Sequence, residues 1–392
     1  MADTQLKIFY LDNSTDFSGG QKSLLALLSR LDKQNFKPIA IVDRKALRFK
    51  EELKKIGIEF VEINYGNTKG MEVFLMPFVV LRLWYLVRTH NCDLIHANTF
   101  KVGLIAALLR KVIRQRVIFR SRLGIIVNSH GFIDRIIYQN CDLILANSHY
   151  VKSTYFQRFG NDDKAVVVYN PLFTDYSLDT GLVEDLRQKY FAERECFYFG
   201  AIGRIEPFKR LHEIVEAVKI LAGKREHFKV LFIGNVPVSG GSEYKEELVA
   251  AIKASGLERY FVFTGFLAPI FEATSLLNCV LLCTEGEPLS RGIFESQYLK
   301  VPVIASDSGG NPELIQHGET GLLYELGNPS DLADKMMQIM DSDATRERLI
   351  SNAYTFVKRT FQPEATVKLE EATYRRLLSG TRGSPVTADP KS

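Results

Sequence analysis

Short apolar runs alternate along this chain with longer stretches in which apolar positions recur every three or four residues. The first series of runs falls at Leu6–Leu11, Pro38–Val42, Phe60–Ile63, Leu94–His96, Val117–Arg120, Leu143–Ala146 and Val166–Tyr169. A second series restarts at Cys196–Ile202 and continues through Val230–Ile233, Val262–Phe266 and the two ends of Leu281–Ser306. Helical periodicity fills the gaps, as at Ser23–Leu31, Leu211–Leu221, Asp331–Met340 and Thr345–Thr360. Runs that are apolar on both faces and separated by helices predict an α/β protein with parallel sheets covered on both sides. Ligands of such sheets gather at the carboxyl ends of the strands. The turn signal Asn170-Pro171 closes the first series, giving domains at residues 1–172 and 182–362 with a linker at Thr174–Gly181. Two domains also suit 392 residues. Residues 379–392 are polar, rich in turn formers and expected to be disordered.

One run breaks the rhythm. Val73–Val87 is long and almost wholly apolar, yet it contains Pro77 and Arg82 and is too short to cross a bilayer, for which about twenty residues are needed. It predicts a buried helix, with contact to a membrane surface as the lesser alternative.

Composition narrows the class without naming a function. Apolar and charged fractions of 46% and 24% are those of an ordinary globular protein. Cys92, Cys141, Cys196, Cys279 and Cys283 form no disulfide framework or metal-ligand spacing and read as reduced core residues of a cytoplasmic protein. The opening MADTQLKIFYLDN lacks the basic flank and apolar core of a secretory signal. The net charge of +4 is uneven, roughly +8 over residues 1–180 and −4 over the remainder. Arg110, Lys111, Arg114, Arg116, Arg120 and Arg122 crowd one apolar stretch, a pattern that suits an anionic membrane surface, an anionic acceptor or a solvated face. No nucleic-acid recognition module surrounds it.

The chemistry concentrates at strand ends. Asp16-Phe17-Ser18-Gly19-Gly20 lies between the first strand and its helix, without the Gly-x-Gly-x-x-Gly of dinucleotide sites. Gly203-Arg204, with Lys209 five residues on, sets a forked and a point cation at a strand-to-helix turn, suited to a phosphate. Gly234 and Gly265-Phe266 end two further strands. In LLCTEGEPLSRGIFESQYLKVPVIAS, Pro288 fits a first helical turn, which predicts free N–H groups at Leu289, Ser290 and Arg291. Glu287 stands at the mouth of that helix and Glu295 about two turns inside. Two glutamates eight apart also arise on any solvated helix. Beside a phosphate site, however, carboxylates suit sugar hydroxyls.

In order and spacing these elements resemble the retaining glycosyltransferases of family four, which have the GT-B fold of two Rossmann-like domains facing across a cleft. Glu287 and Glu295 match the family's Glu-x7-Glu, although Pro288-Leu289-Ser290-Arg291 departs from its usual Gly-Phe-Gly-Leu. Gly203-Arg204-Ile205 through Lys209 resembles Gly-Arg-Leu-x-x-x-Lys-Gly, with Arg210 in place of the last glycine. Gly309-Gly310 and His317–Leu323 resemble the closing landmarks. The resemblance implies a hexosyl transfer from a nucleotide diphosphate sugar to a hydroxyl of a glycan or lipid-linked acceptor, as in surface polysaccharide or glycolipid assembly. It implies that Glu287, Arg204 and Lys209 act in catalysis. It further implies that Glu295, Gly19, Gly20, Gly203, Gly234, Phe266, Pro288, Leu289 and Ser290 border the donor. Neither a cofactor nor a metal is implied, since no Asp-x-Asp stands near these elements.

His96, Arg120 and Arg122 are the acceptor-side candidates, the last two because one or other occupies the place of a family histidine. A helix at 363–378 is implied to return to the first domain. The same architecture also carries epimerases, phosphorylases and catalytically silent sugar-nucleotide or membrane-surface proteins.

Overall fold

The computed structural model describes residues 5–17, 19–66, 72–122, 131–171, 176–193, 195–236 and 242–380. Ser18, residues 172–175, the glycines at 240 and 241 and the tail from 381 lie outside these. The chain divides into two compact units, one of residues Met1–Thr174 with Phe361–Ser392 and one of Asp175–Thr360.

In the first unit the strands are β1 (Leu6–Asp12), β2 (Phe36–Asp43), β3 (Glu59–Ile63), β4 (Leu94–Ala97), β5 (Arg116–Ser121), β6 (Leu143–Ala146) and β7 (Ala165–Val167). The helices between them are α1 (Gly19–Arg30), α2 (Leu47–Lys55), α3 (Glu72–Thr89), α4 (Phe100–Leu109), α5 (Gly131–Asn140) and α6 (His149–Phe159). Every pairing is parallel, in the order β3-β2-β1-β4-β5-β6-β7. Successive side chains of a strand point to opposite faces, so Phe9 and Leu11 join the core under α3–α6 while Ile8 and Tyr10 join the other. That is why these strands read as unbroken apolar runs.

The second unit repeats the plan. It comprises α7 (Thr180–Tyr190), β8 (Phe197–Ile202), α8 (Leu211–Ala222), β9 (Phe228–Ile233), α9 (Ser242–Ala254), β10 (Phe261–Gly265), α10 (Ile270–Ser275) and β11 (Cys279–Leu282). It continues with α11 (Arg291–Tyr298), β12 (Val303–Ser306), α12 (Asn311–Leu314), β13 (Leu322–Tyr324), α13 (Pro329–Asp341) and α14 (Asp343–Thr360). The sheet order is β10-β9-β8-β11-β12-β13, again all parallel. These are two Rossmann-like halves. In each, strand order reverses beside the first strand, between β1 and β4 and between β8 and β11, which is where such sheets leave a crevice at their carboxyl edge.

Within the expected linker, Tyr176 and the Asp179 N–H both bond the buried Glu272 carboxylate, the latter at 3.1 Å, so this segment is anchored to the second unit. The last helix, α15 (Pro363–Ser379), packs in the first unit. There the Asp32 N–H donates to Glu371 at 2.7 Å and Arg30 pairs with Glu364 at 3.3 Å.

Three expectations need correction. Helix α3 is not simply buried, because Phe78, Leu81 and Tyr85 face solvent. The basic stretch is not one face: Arg110 and Arg116 both grip Asp142 at 2.8 and 2.7 Å and Arg120 is buried, while Lys111, Arg114 and Arg116 are exposed. Gly19 and Gly20 form the first turn of α1 instead of preceding the helix, with the Gly19 carbonyl accepting from Ser23 at 3.0 Å.

Candidate functional site

The loop after β8 and the loop after β11 leave neighbouring strands at the reversal of the second sheet. Between them is a recess lined by Ile202, Gly203, Arg204, Lys209, Cys283 and Thr284. Lys209 ends a short 3-10 turn, Pro207–Lys209, and its Nζ lies 2.7 Å from Glu287 Oε2, with both side chains about one-fifth exposed. Arg204 is different. Its side chain is 67% exposed and rests 2.9 Å from Glu206, so its guanidinium stands open to a ligand.

Two glycines shape this edge. Gly234, at the end of β9, has φ +157, and a methyl there would come 1.8 Å from the Gly203 carbonyl oxygen. The ends of β8 and β9 therefore touch backbone to backbone, and Gly234 permits that approach, while a side chain on Gly203 would meet that of Lys209. Phe266 follows β10 and is 69% exposed, while its N–H donates to Asn235 Oδ1 at 3.1 Å. An exposed ring held by its backbone offers a stacking face.

The acidic loop corrects the expected geometry. Helix α11 starts at Arg291 with Ser290 as N-cap, and Pro288 and Leu289 belong to the loop before it. Proline tolerates both settings, which is why its presence misplaced the start. The opening turn of the helix therefore shifts to Ser290, Arg291 and Gly292, and Leu289 and Ser290 are themselves buried. Glu295 sits one turn inside α11, paired with Arg291. Glu287 lies four residues ahead of the helix, held by what surrounds its backbone. Gly310 N–H donates to the Glu287 carbonyl at 2.8 Å, and Gly286 N–H to Ser308 Oγ at 2.9 Å.

Several participants escaped the sequence reading. Arg210, where the resembled pattern has glycine, takes the left-handed φ of +47 that glycine would adopt freely. Its guanidinium pairs with buried Glu213 and with Glu285 at 3.1 Å, clamping the loop of Lys209 to that of Glu287. Glu213 also accepts from Tyr324 Oη at 2.8 Å and Gly327 N–H at 3.2 Å. Thr284 Oγ1, buried at the recess, has no hydrogen-bond partner in the described structure. The only advance signal for any of these was the arginine standing in a glycine position.

The acceptor-side candidates of the first unit separate. His96 is fully buried, its Nδ1 2.8 Å from Tyr374 Oη and 3.4 Å from Glu370. Burial, and then the charges of Arg120 and Arg122, push the imidazole well below its ordinary value. Arg120 is 4% exposed and pairs with Glu370 of α15, also bonding the Val168 carbonyl at 3.2 Å. Both are engaged in seating α15. Arg122 is the more accessible of the three, bonding the Asn98 carbonyl at 2.6 Å and its side-chain oxygen at 2.7 Å. Asn98 in turn donates to Asp12, whose carboxyl is raised by burial against these bonds. This cluster occupies the reversal between β1 and β4 of the first sheet.

No three His, Cys, Asp or Glu side chains among the described residues are grouped to hold a metal ion.

Comparison with known proteins agrees with this geometry. The family model "Glycosyl transferases group 1" matches residues 183–356, and "Glycosyltransferase Family 4" matches residues 17–176. The chain is 23% identical to the 2-deoxystreptamine N-acetyl-D-glucosaminyltransferase of Niallia circulans, over 81% of this chain and 86% of that one. It is 21% identical to the N-acetyl-alpha-D-glucosaminyl L-malate synthase of Bacillus anthracis, over 77% and 79%. Among solved structures, Anabaena HepE in complex with UDP superposes with a TM-score of 0.81 at 22% identity, over 94% of this chain and all of that one. A glycosyltransferase from Rickettsia africae gives 0.82 at 21%, over 96% and 100%. The two units, the strand-edge recess and the matched models together place this chain in glycosyltransferase family 4, as a group 1 glycosyltransferase of the GT-B type.

Proposed function

We propose that the protein is a retaining, metal-independent hexosyltransferase that uses a nucleotide diphosphate sugar and delivers the sugar to a hydroxyl of a glycan or lipid-linked acceptor. The observation that carries the reading is the Lys209–Glu287 pair at the β8/β11 reversal, with the open guanidinium of Arg204 on the same recess. A carboxylate alone would repel a diphosphate. With Lys209 between them, the ammonium compensates the acid and still has N–H donors for phosphate oxygens.

Departure of the diphosphate concentrates negative charge where Arg204, Lys209 and the N–H groups opening α11 can meet it. Glu287 accepts hydrogen bonds from the donor sugar, and Glu295 accepts from the ribose. Phe266 offers its face to the base. The leaving phosphate itself takes the acceptor proton on the face it vacates, so no enzyme nucleophile is assigned. Anabaena HepE has been crystallised with UDP-glucose, which supports a nucleotide-sugar donor here.

The test is acceptor-dependent release of nucleoside diphosphate, with the anomeric configuration of the product read by NMR. Transfer with retention, lost in Glu287→Ala, Lys209→Ala and Arg204→Ala variants that remain folded, supports the reading. Wild-type turnover by all three removes the assigned roles, and an inverted product removes the mechanism.

A further inference from the structure

Helix α3 is apolar on both sides. Towards the sheet it buries Val79, Leu83, Leu86 and Val87. Away from it, Phe78, Leu81 and Tyr85 are 68%, 61% and 52% exposed, and Trp84 is 37% exposed. Spacings of three, four and seven place the first three in one stripe along the helix. Arg82 and Arg88 are exposed too, with their guanidinium carbons 5.6 Å from the Tyr85 ring centre and 5.2 Å from that of Trp84. No acidic residue lies between Glu72 and the end of the helix. A surface helix normally turns charge to water and keeps one apolar stripe for the core. This one turns a second stripe outward, and past Glu72 the only charges on the helix are the cations Arg82 and Arg88.

We propose that the outer face of α3 is a docking surface for the headgroup region of an anionic lipid bilayer. Aromatic rings with arginines folded over them suit that boundary, where the ring enters the acyl edge and the guanidinium stays with the headgroups. The helix lies in the plane of the membrane, since no described helix is long and apolar enough to cross one. Charge selects lipid over a second copy of the chain. A two-fold dimer through this face would set one cationic helix face against another, with Glu72 the only acid on either helix. The proposal uses no residue of the strand-edge recess and stands apart from the glycosyl-transfer reading.

The full chain is floated with vesicles of phosphatidylcholine, alone or with about one third phosphatidylglycerol. Trp84, the only tryptophan in the chain, reports directly on the face. Flotation with the anionic vesicles and a blue shift of Trp84 emission are expected. Substituting Phe78→Ser, Leu81→Ser and Tyr85→Ser together should weaken binding about a hundredfold or more. Replacing Arg82→Glu and Arg88→Glu should weaken it at least about twentyfold on anionic vesicles, at about fivefold per cation, with little change on phosphatidylcholine alone. Melting curves check that both variants fold, as exposure of the replaced side chains predicts. Absence of flotation with unchanged Trp84 emission overturns the proposal, as does binding that survives both variants. A concentration-dependent dimer that the triple variant abolishes, with no vesicle binding by the wild type, reassigns the face to a second copy.

Discussion

Gly309 gives the sharpest mutational test of how the Glu287 loop is held. It follows β12 with φ +63, and a methyl placed on it would stand 2.4 Å from the Glu287 carbonyl oxygen and 2.7 Å from the Glu287 nitrogen. Ordinary contact begins near 3.4 Å. Because the obstructing atoms are backbone, Gly309→Ala must push the loop away by about 1 Å. A misplacement of that size costs about a hundredfold in rate when it moves a group that positions substrate. The left-handed φ adds roughly 1–2 kcal/mol of conformational cost for alanine.

Gly318→Ala separates the two effects. Gly318 has φ +77 but open space around it, so alanine there carries the conformational cost without the clash. The assay is steady-state nucleoside diphosphate release at saturating donor and acceptor, alongside denaturant unfolding. Both variants should lose stability on the order of 1 kcal/mol or more, and only Gly309→Ala should lose about two orders of magnitude in kcat. Near-normal turnover by folded Gly309→Ala would refute the reasoning. Equal losses in both variants would show that the effect is global.

Further outcomes follow from individual side chains. Phe266→Ala should weaken nucleoside diphosphate binding by about three- to tenfold, the loss of one stacking contact, without moving the melting temperature, because the ring is exposed; calorimetric titration reads it. Glu370→Gln should destabilise the first unit by about 3–5 kcal/mol, since it breaks the buried pair with Arg120, and hydrogen exchange should accelerate in 363–379. His96 is held below its ordinary 6.5 by burial and the nearby arginines, so the unfolded chain takes its proton first. Its contribution is complete above pH 6.5 and declines as pH falls below that, by at most about 1.4 kcal/mol per pH unit. The acid-side fall in unfolding midpoint should therefore be shallower in His96→Gln than in wild type.

The parallel sheets were legible because strands covered on both faces must be apolar throughout, and the strand ends that carry Arg204, Lys209 and Glu287 followed from them. The 78-residue separation that closes to a 2.7 Å contact was not legible from spacing. Only the sheet order brings β8 beside β11. The basic stretch misled for a similar reason: Asp142 and Glu370, which absorb Arg110, Arg116 and Arg120, lie far along the chain. In α3 the apolar pattern was plain, but an all-apolar helix does not declare which side will be covered. Pro288 marked a boundary without saying on which side of it the helix begins. Gly309 and Gly310 drew notice as landmarks, whereas their work is to let the 286–288 backbone come close.

The central claim is that the recess between β8 and β11 grips a diphosphate through Lys209 and Arg204. Calorimetric titration of UDP, as a representative nucleoside diphosphate, into wild type, Lys209→Met and Arg204→Met tests it most directly. Binding by wild type, weakened about tenfold or more in each variant as expected for a lost charge-assisted contact, is the predicted result. Undiminished affinity in both folded variants would contradict it.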